Sequence, residues 1–335
     1  MSDLERIVVG KGRKFLLRVE TSHEAADYQK YEDIRDAIWG FPDDHLSGTR
    51  NMMCENFFAE GSSLFIGAFT ETEGGGLGAD GGHLAGFCYG FVGVADKATG
   101  FRDPANLRFY SQFAGVRREY QSFGLGILIK EFQRDMILGR LGIGSVICTY
   151  DPLTGVNAHR NVHHFGMDVL EYRVATYGEY GGLLNRSDVP SDRFLMSWDL
   201  ARKARDGSGA AGRPGPETPR VLSVEVRRVE GTLGPLDVEV VRDAGLRLGD
   251  PTLLVRIPQD FYRMLRETDV ADPDVRRIPV DWREHTRRAF VSLLGRGYRV
   301  TDFLKDLGTP PANFYVLTKG PAAGPRPGPG RIPGI

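Results

Sequence analysis

The sequence predicts a mixed α/β fold, and three observations along its 335 residues support this class. Aromatic and aliphatic runs at 63–70, 83–94 and 107–116 are typical of strands, and a Gly-rich hairpin connection separates the first two. Apolar residues recur at helical spacing over 127–142. A short, continuous apolar run at 145–150 then predicts a buried strand.

The segments on either side extend this pattern. Residues 22–39 carry apolar side chains at helical spacing, and 156–166 predict a second helix that ends at a glycine. Residues 167–178 and 192–200 predict a pair of strands. The N-terminal part is therefore expected to contain a helix, an antiparallel meander and then alternating strands and helices.

Two Gly- and Pro-rich stretches suggest the domain boundaries. Residues 202–219 lack apolar periodicity and predict a linker, which separates a first domain at 1–201 from a smaller α/β domain at 220–318. The last residues, 319–335, predict a disordered tail.

The C-terminal domain repeats the end of the first domain's pattern. Strand-like runs come first, and an amphipathic helix at 280–297 is followed by two more strand-like runs. Helix, aromatic-rich strand and strand is also the order over 156–200. We therefore hypothesise a diverged internal duplication.

Composition restricts the class of partner. Lys and Arg number 43 against 44 Asp and Glu, so the net charge of −1 predicts no nucleic acid and no membrane as a partner. No apolar run approaches the roughly 20 residues that cross a bilayer, and the N-terminus lacks a secretory signal pattern. Together with three scattered cysteines, Cys54, Cys88 and Cys148, expected to be small buried side chains, this predicts a cytoplasmic protein.

The most informative motif follows the strand that ends at Val116. Residues 121–126 read Q-x-x-G-x-G, and a helix opens at about Gly126. The first turn of a helix offers unpaired amides and partial positive charge, and glycines let an anion approach them. Two arginines at 117–118 add positive potential, which Glu119 opposes. The spacing differs from both the P-loop and the dinucleotide-binding fingerprint.

This motif in this context resembles the GNAT acyltransferase superfamily. The family's pyrophosphate loop is written Q/R-x-x-G-x-G/A, and residues 121–126 match every specified position. Downstream, 149–167 and 177–200 look like a bacterial subgroup of uncharacterised predicted acetyltransferases with an extra C-terminal domain. The resemblance covers roughly residues 15–200.

The resemblance implies a GNAT-like acyl-CoA N-acyltransferase fold, with two neighbouring strands that part to admit coenzyme A. It implies acetyl-CoA as co-substrate and no metal. The implied contacts to the pantetheine arm are the main-chain groups of Ala114, Gly115 and Val116. The implied pyrophosphate contacts are Gln121, Ser122, Phe123, Gly124, Leu125, Gly126 and Ile127. Asn157 and Asn161 are expected to reach the cofactor's other polar groups.

The catalytic residues are less well indicated. Many family members protonate the leaving thiolate with a tyrosine, and alignment on the helix-ending glycine places Val162 at that position. Tyr150 and Asp151, at the end of a predicted strand, are the nearest substitutes, although Asp151 before a proline is equally typical of a turn. Glu119 is a further candidate base by position. His159 and His163 are spaced for metal ligation, but without a third ligand they indicate a solvated helix face.

Acyl transfer from a bound thioester to an amine is the function that these features favour, and acetyl is the expected group. The alternatives are a non-catalytic coenzyme A-binding or assembly module, motivated by Val162, and an α/β protein with no cofactor. The acceptor is expected to be a small-molecule or peptide amine contacted by residues 22–60 and 178–192. The C-terminal domain is expected to form a homodimer contact or to cover the acceptor pocket.

Overall fold

A computed structural model describes residues 3–40, 55–58, 61–71, 82–178, 181–202, 214–215 and 217–320. Cys54, most of the Gly-rich connection, most of the predicted linker and the predicted tail lie outside this part of the chain. Two compact units are present: one runs to Cys148 and includes Asp199–Ala201, and the other comprises Thr149–Trp198 and the chain after it from Arg202. These units do not coincide with the predicted domains, whose boundaries remain a prediction.

A mixed sheet forms the centre of the first unit. Its strands are β1 (Glu5–Gly10), β2 (Arg13–Val19), β3 (Ser63–Phe69), β4 (Leu84–Val94), β5 (Leu107–Val116) and β6 (Ser145–Tyr150), whose last two residues belong to the second unit. They lie side by side in chain order. The pairs from β1 to β5 are antiparallel, and β5 and β6 are parallel. The predicted mixed α/β class is confirmed.

The first two strands were not predicted. Gly10 pairs with Arg13, so Lys11 and Gly12 alone form the connection, with φ angles of 43° and 84°. Positive φ at both central residues is the property of the two-residue turns that match the twist of a hairpin. Gly12 and the short apolar runs on either side of it, 7–9 and 15–17, therefore favour the hairpin.

Two helices of the first unit pack against this sheet. A 3₁₀ turn at Ala25–Tyr28 leads into α1 (Gln29–Trp39), and α2 (Leu125–Met136) continues as a π turn at Ile137–Leu141. The chain then leaves the helix at Gly142, whose φ of 66° is the left-handed value typical of a helix end. The predicted helices are confirmed, although the second changes its hydrogen-bonding pattern after Met136.

Aromatic side chains fill the core between α1 and the sheet. Tyr28 and Tyr31 pack against Phe65, and the rings of Tyr31 and Phe65 have centroids 4.7 Å apart. Tilted and edge-on ring pairs at such distances add stabilisation to the area they bury. Trp39, at the end of α1, packs edge-on against Phe113 at 5.5 Å and so reaches β5.

The second unit contains several small sheets and a long helix. Its elements are α3 (Gly155–Ala158) with a π turn at His159–His164, β7 (Asp168–Arg173), β8 (Arg193–Asp199), β9 (Leu222–Gly231), β10 (Gly234–Ala244), β11 (Thr252–Ile257), α4 (Phe261–Glu267), α5 (Pro273–Arg276), α6 (Ile278–Gly295), β12 (Tyr298–Leu307) and β13 (Ala312–Lys319). Strands β7 and β8 are antiparallel, β9 and β10 form a hairpin, and β11-β13-β12 is an antiparallel sheet.

Most of these elements were predicted. The helix predicted at 280–297 is α6, and the strand pair after it is β12 and β13. The structure adds β10, α4 and α5, and it ends the strand predicted at 167–178 at Arg173. An antiparallel pair follows a helical segment in both halves of this unit, as the duplication hypothesis requires, and the duplication remains a prediction.

The two cysteines that the structure describes, Cys88 and Cys148, are buried and form no disulfide. Burial raises the pKa of Cys88 to about 12, so its thiolate is suppressed at neutral pH. Among the described residues, no helix combines the length and the hydrophobicity that a bilayer crossing requires.

Close approach of the first hairpin to the chain after β5 gives a test of this packing. A Cβ added at Gly10 would lie 2.3 Å from the carbonyl oxygen of Phe123, whereas one added at Gly93 would meet nothing within 4 Å. Because overpacking forces main chain apart, we expect Gly10→Ala to lower the free energy of unfolding by about 1–3 kcal/mol. Gly93→Ala, another glycine-to-alanine change within a strand, is the control and should change it by less than about 1 kcal/mol.

Urea unfolding of both variants measures the difference. Equal stability of Gly10→Ala and Gly93→Ala would contradict the contact between β1 and Phe123.

Candidate functional site

A bulge in β5 determines the shape of the first unit's sheet. Tyr89 pairs with Phe113 and Gly90 pairs with Ser111, so Gln112 is an extra residue on β5. A side chain at Gly90 could not be accommodated, because its Cβ would lie 2.4 Å from the carbonyl oxygen of Tyr110. Bulges bend the strand that carries the extra residue. The second half of β5 is therefore turned relative to the first half.

The two parallel strands separate at this bulge. The β5–β6 ladder consists of three pairs and ends at Ser111 and Cys148, whereas β5 continues to Val116. Residues 112–116 thus extend beyond the ladder, and on that side β6 supplies no partner for their main chain. A strand edge of this kind can pair with the amides of an extended ligand. We call this opening the β5–β6 fork.

Beyond the fork, the chain makes a tight turn into α2. A 3₁₀ segment, Arg118–Phe123, leads to Gly124, which has φ 74° and ψ 9° and caps the helix. The side chain of Gln121 donates a hydrogen bond of 3.1 Å to the carbonyl oxygen of Val116, which ties the loop to the end of β5. A Cβ on Gly124 would meet nothing within 4 Å. The positive φ, and not crowding, therefore favours glycine there, and the space beside it is open.

The start of α2 provides the electrostatics of this junction. Leu125 and Gly126 occupy its first turn, where helices leave amides without partners in a preceding turn and carry partial positive charge. The amide of Ile127, in contrast, donates to the carbonyl oxygen of Gly124 at 3.0 Å. Of the predicted pyrophosphate residues, 121–123 therefore belong to the 3₁₀ segment and 124–127 to the start of α2, where the amide of Ile127 is already engaged.

Comparison with known proteins gives no match to a family model and none to a curated protein. Matching solved structures include the ribosomal-protein-S5-alanine acetyltransferase from Vibrio fischeri, with 12% identity over 59% of this chain and 98% of that one, at a TM-score of 0.42. Another is Arabidopsis thaliana NAA60 in complex with acetyl-CoA, with 13% identity over 55% and 98%, at 0.41. A putative GNAT acetyltransferase from Desulfovibrio desulfuricans matches at 12% identity over 56% and 99%, at 0.39.

The order of β1 to β6, the parting of the two parallel strands and the loop into α2 are what the GNAT resemblance implies. The GNAT type of fold remains a prediction from the sequence motif. The second unit also contains the two-stranded sheet of β9 and β10 and the three-stranded sheet β11-β13-β12.

The sequence motif did not reveal the contribution of the first hairpin to this junction. The guanidinium of Arg13 lies 4.8 Å from the ring centre of Tyr120 and 5.5 Å from that of Phe123, so β2 packs against the loop. The sequence nevertheless contains a signal for this hairpin, because Lys11-Gly12 stands between two short apolar runs and has basic residues next to it.

The two predicted asparagine contacts lie in the second unit. The Oδ1 atoms of Asn157 and Asn161 both accept hydrogen bonds from Arg160, at 2.9 and 3.2 Å, and Asn157 also donates to Thr154 at 3.1 Å. Asn161 is buried. These amides help to order the α3 segment, and their contact with a cofactor remains a prediction.

Asp151 lies in a buried ion pair of the second unit. Its two carboxylate oxygens accept hydrogen bonds of 2.8 and 2.5 Å from Arg283, which is fully buried, and Arg193 is 3.6 Å away. Burial alone would raise the pKa of Asp151, but the charge and hydrogen bonds of Arg283 outweigh it and hold this pKa below its usual value. Asp151 is therefore an anion at neutral pH with its oxygens already engaged.

Tyr150 is held in the same core. Its hydroxyl lies 2.9 Å from that of Tyr315, which donates a hydrogen bond of 2.8 Å to the carbonyl oxygen of Pro152. Burial, with a smaller effect of Tyr150, raises the pKa of Tyr315 well above its usual value. These contacts give Tyr150 and Asp151 a structural role, and we assign no catalytic step to them.

The structure also shows the contacts of the other candidate residues, Val162, His159 and His163. Val162 is buried, as an apolar side chain is expected to be. The rings of His159 and His163 stack with centroids 4.9 Å apart, and Nδ1 of His163 lies 2.9 Å from Asp302. Burial, and then the charge of His163, lowers the pKa of His159. The pair is therefore part of a packed, hydrogen-bonded surface.

Replacing Asp151 tests whether its ion pair stabilises the second unit. Asp151→Asn leaves Arg283 buried without its counter-charge, so we expect the free energy of unfolding to fall by about 3–5 kcal/mol at neutral pH. Because the folded-state pKa of Asp151 is lowered, its stabilisation is present above the ordinary carboxyl pKa and is lost as pH falls through the lowered value. Urea unfolding at several pH values measures both effects.

Asp237→Asn is the matched control, because its ion pair with Arg228 joins side chains that are 61% and 63% exposed. We expect it to change stability by less than about 1 kcal/mol. The double variant Asp151→Asn with Arg283→Met should recover part of the loss, since it removes the buried charge as well. Wild-type stability of Asp151→Asn would contradict this assignment.

Proposed function

We propose that this chain is an N-acetyltransferase that transfers the acetyl group of acetyl-CoA directly to an amine. The observation that carries the proposal is the junction of the β5–β6 fork with the loop 121–126. An open strand edge and the first turn of α2 meet there, within one short stretch of chain. The open strand edge can pair with the amides of an extended pantetheine arm, and the first turn of α2 can bind a diphosphate.

The residues at this junction suit the proposed co-substrate. Ala114, Gly115 and Val116 lie beyond the ladder and are half-buried, so their main chain can bond a pantetheine arm outside bulk water. Gly124 is left-handed with open space beside it, and Gly126 follows it in the first helical turn. The open space beside Gly124 allows a diphosphate to approach its main chain.

The proposed reaction balances without a further reactant. The neutral amine attacks the thioester carbonyl, a C–N bond forms, the C–S bond breaks, and a proton passes from the amine to the departing thiolate. The chain's contribution is to hold the two reactants together, which replaces a bimolecular encounter with an oriented one. Main-chain N–H groups at the strand edge are the donors that can polarise the carbonyl.

A non-catalytic coenzyme A-binding module is the second candidate. It is favoured because the side chains considered as proton donors are not suited to that role. Val162 has no ionisable group, and Tyr150 and Asp151 are engaged within the core of the second unit. This candidate shares the cofactor site of the first and predicts binding without turnover.

Gly126→Leu tests the cofactor site. Gly126 does not have a positive φ, so a leucine there is compatible with the backbone but fills the first turn of α2. At a coenzyme A concentration of 100 times its Kd, binding should stabilise the wild-type protein by about 2.7 kcal/mol and raise its melting temperature by about 5 °C. We expect Gly126→Leu to abolish this rise in a thermal-shift measurement.

The control is Gly139→Leu, an exposed glycine of the same unit in the π turn after α2, where a Cβ meets nothing within 4 Å. It should keep the full shift. A wild-type shift in Gly126→Leu, or no shift in the wild-type protein, would contradict the proposed site.

Activity distinguishes the two candidates. Wild-type protein with acetyl-CoA and a panel of small and peptide amines should release free thiol above the rate without protein, and Gly126→Leu should not. Cofactor binding without thiol release across a broad panel would support the non-catalytic module.

A further inference from the structure

A cluster of basic side chains lies beside the proposed pyrophosphate loop. It consists of Lys11, Arg13 and Lys14, from the turn and the start of β2, and we call it the basic turn. Together with Gly12, Glu71 and Phe123 it lines an open cavity of about 540 Å³. Phe123 belongs to the loop, so the cavity and the loop are adjacent.

The strand registers explain why the two are neighbours. Gly10 pairs with Arg13 at the end of the first hairpin, and Gly86 pairs with Val116 at the end of β5. The intervening antiparallel pairs place these ends on the same edge of the sheet. The close approach of Gly10 to the carbonyl of Phe123 brings the hairpin into contact with the loop.

The described part of the chain offers no counter-charge that would explain the charge of the basic turn. Among the described residues, none forms an ion pair with Lys11, Arg13 or Lys14, and all three are exposed. Glu71 is the acidic residue on the cavity wall, so the lining has an excess of two positive charges. The hairpin turn itself does not require lysine, since Asn or Gly is preferred at the left-handed position that Lys11 occupies with φ 43°.

Arg13 fixes one of these charges in place. Its guanidinium stacks on the rings of Tyr120 and Phe123, both in the 3₁₀ segment of the loop. Cation–π contacts orient the guanidinium while its N–H groups remain available to an anion. The two lysines add mobile charges on either side.

We infer that the basic turn recognises the 3′-phosphate of coenzyme A. This inference rests on the proposed function, because it takes the diphosphate to be at the loop. A single ribose joins the diphosphate and the 3′-phosphate, so the phosphate lies near the loop, and the basic turn supplies the neighbouring positive charge. The basic turn thereby selects coenzyme A over its 3′-dephospho form.

Binding of coenzyme A and 3′-dephospho-coenzyme A, measured by isothermal titration calorimetry at about 150 mM salt, tests the inference. The wild-type protein should bind coenzyme A at least about tenfold more tightly, as expected for charge-assisted hydrogen bonds. The double variant Lys11→Gln with Lys14→Gln should bind both ligands about equally and lose little affinity for the dephospho form. Arg13 is kept, because it also packs against the loop.

The control is Lys97→Gln with Arg108→Gln, which removes two positive charges near the opposite end of β4 and β5, where Val94 pairs with Leu107. It should keep the wild-type preference. Equal binding of the two ligands to the wild-type protein, or a preference retained in the Lys11/Lys14 variant, would overturn the inference and leave the proposed function standing. If neither ligand binds the wild-type protein, the proposed function fails as well.

Discussion

The bulge at Gln112 is the constraint on which the proposed site depends. It places one residue more on β5 than on β4, and at the same point the β5–β6 ladder ends at Ser111 and Cys148. With the extra residue in place, that ladder holds three pairs, and the main-chain groups of residues 112–116 lie beyond it. Gly90 permits the bulge, because any side chain there would collide with β5.

The two halves of β5 therefore have different surroundings. Its first half is part of a continuous sheet, and its second half leads to Gly124 and the start of α2. The first hairpin brings Arg13 to the same edge. In the second unit, the buried side chains of Asp151 and Arg283 form an ion pair, and each neutralises the charge of the other. The buried pair of Asp151 and Arg283 lies in the second unit, whereas Arg13 lies in the first.

How much could be predicted from the sequence differs between elements. The bounds of β5 and β6 were predicted correctly, because each is an apolar run ended by polar or glycine residues. The loop motif placed Gly124 and Gly126 at a helix start, where the structure has them. The role of Asp151 could not be predicted, since its partner Arg283 is 132 residues away. The first hairpin was not predicted, although Lys11-Gly12 between two short apolar runs was a usable signal.

A crystal structure with acetyl-CoA is the most direct measurement of the central claim. The account predicts that diphosphate oxygens accept hydrogen bonds from main-chain amides within 123–126, and that the pantetheine arm lies along residues 114–116 in the β5–β6 fork. A cofactor bound elsewhere, or a soaked crystal in which this junction stays empty while its amides bond within the protein, would contradict the account.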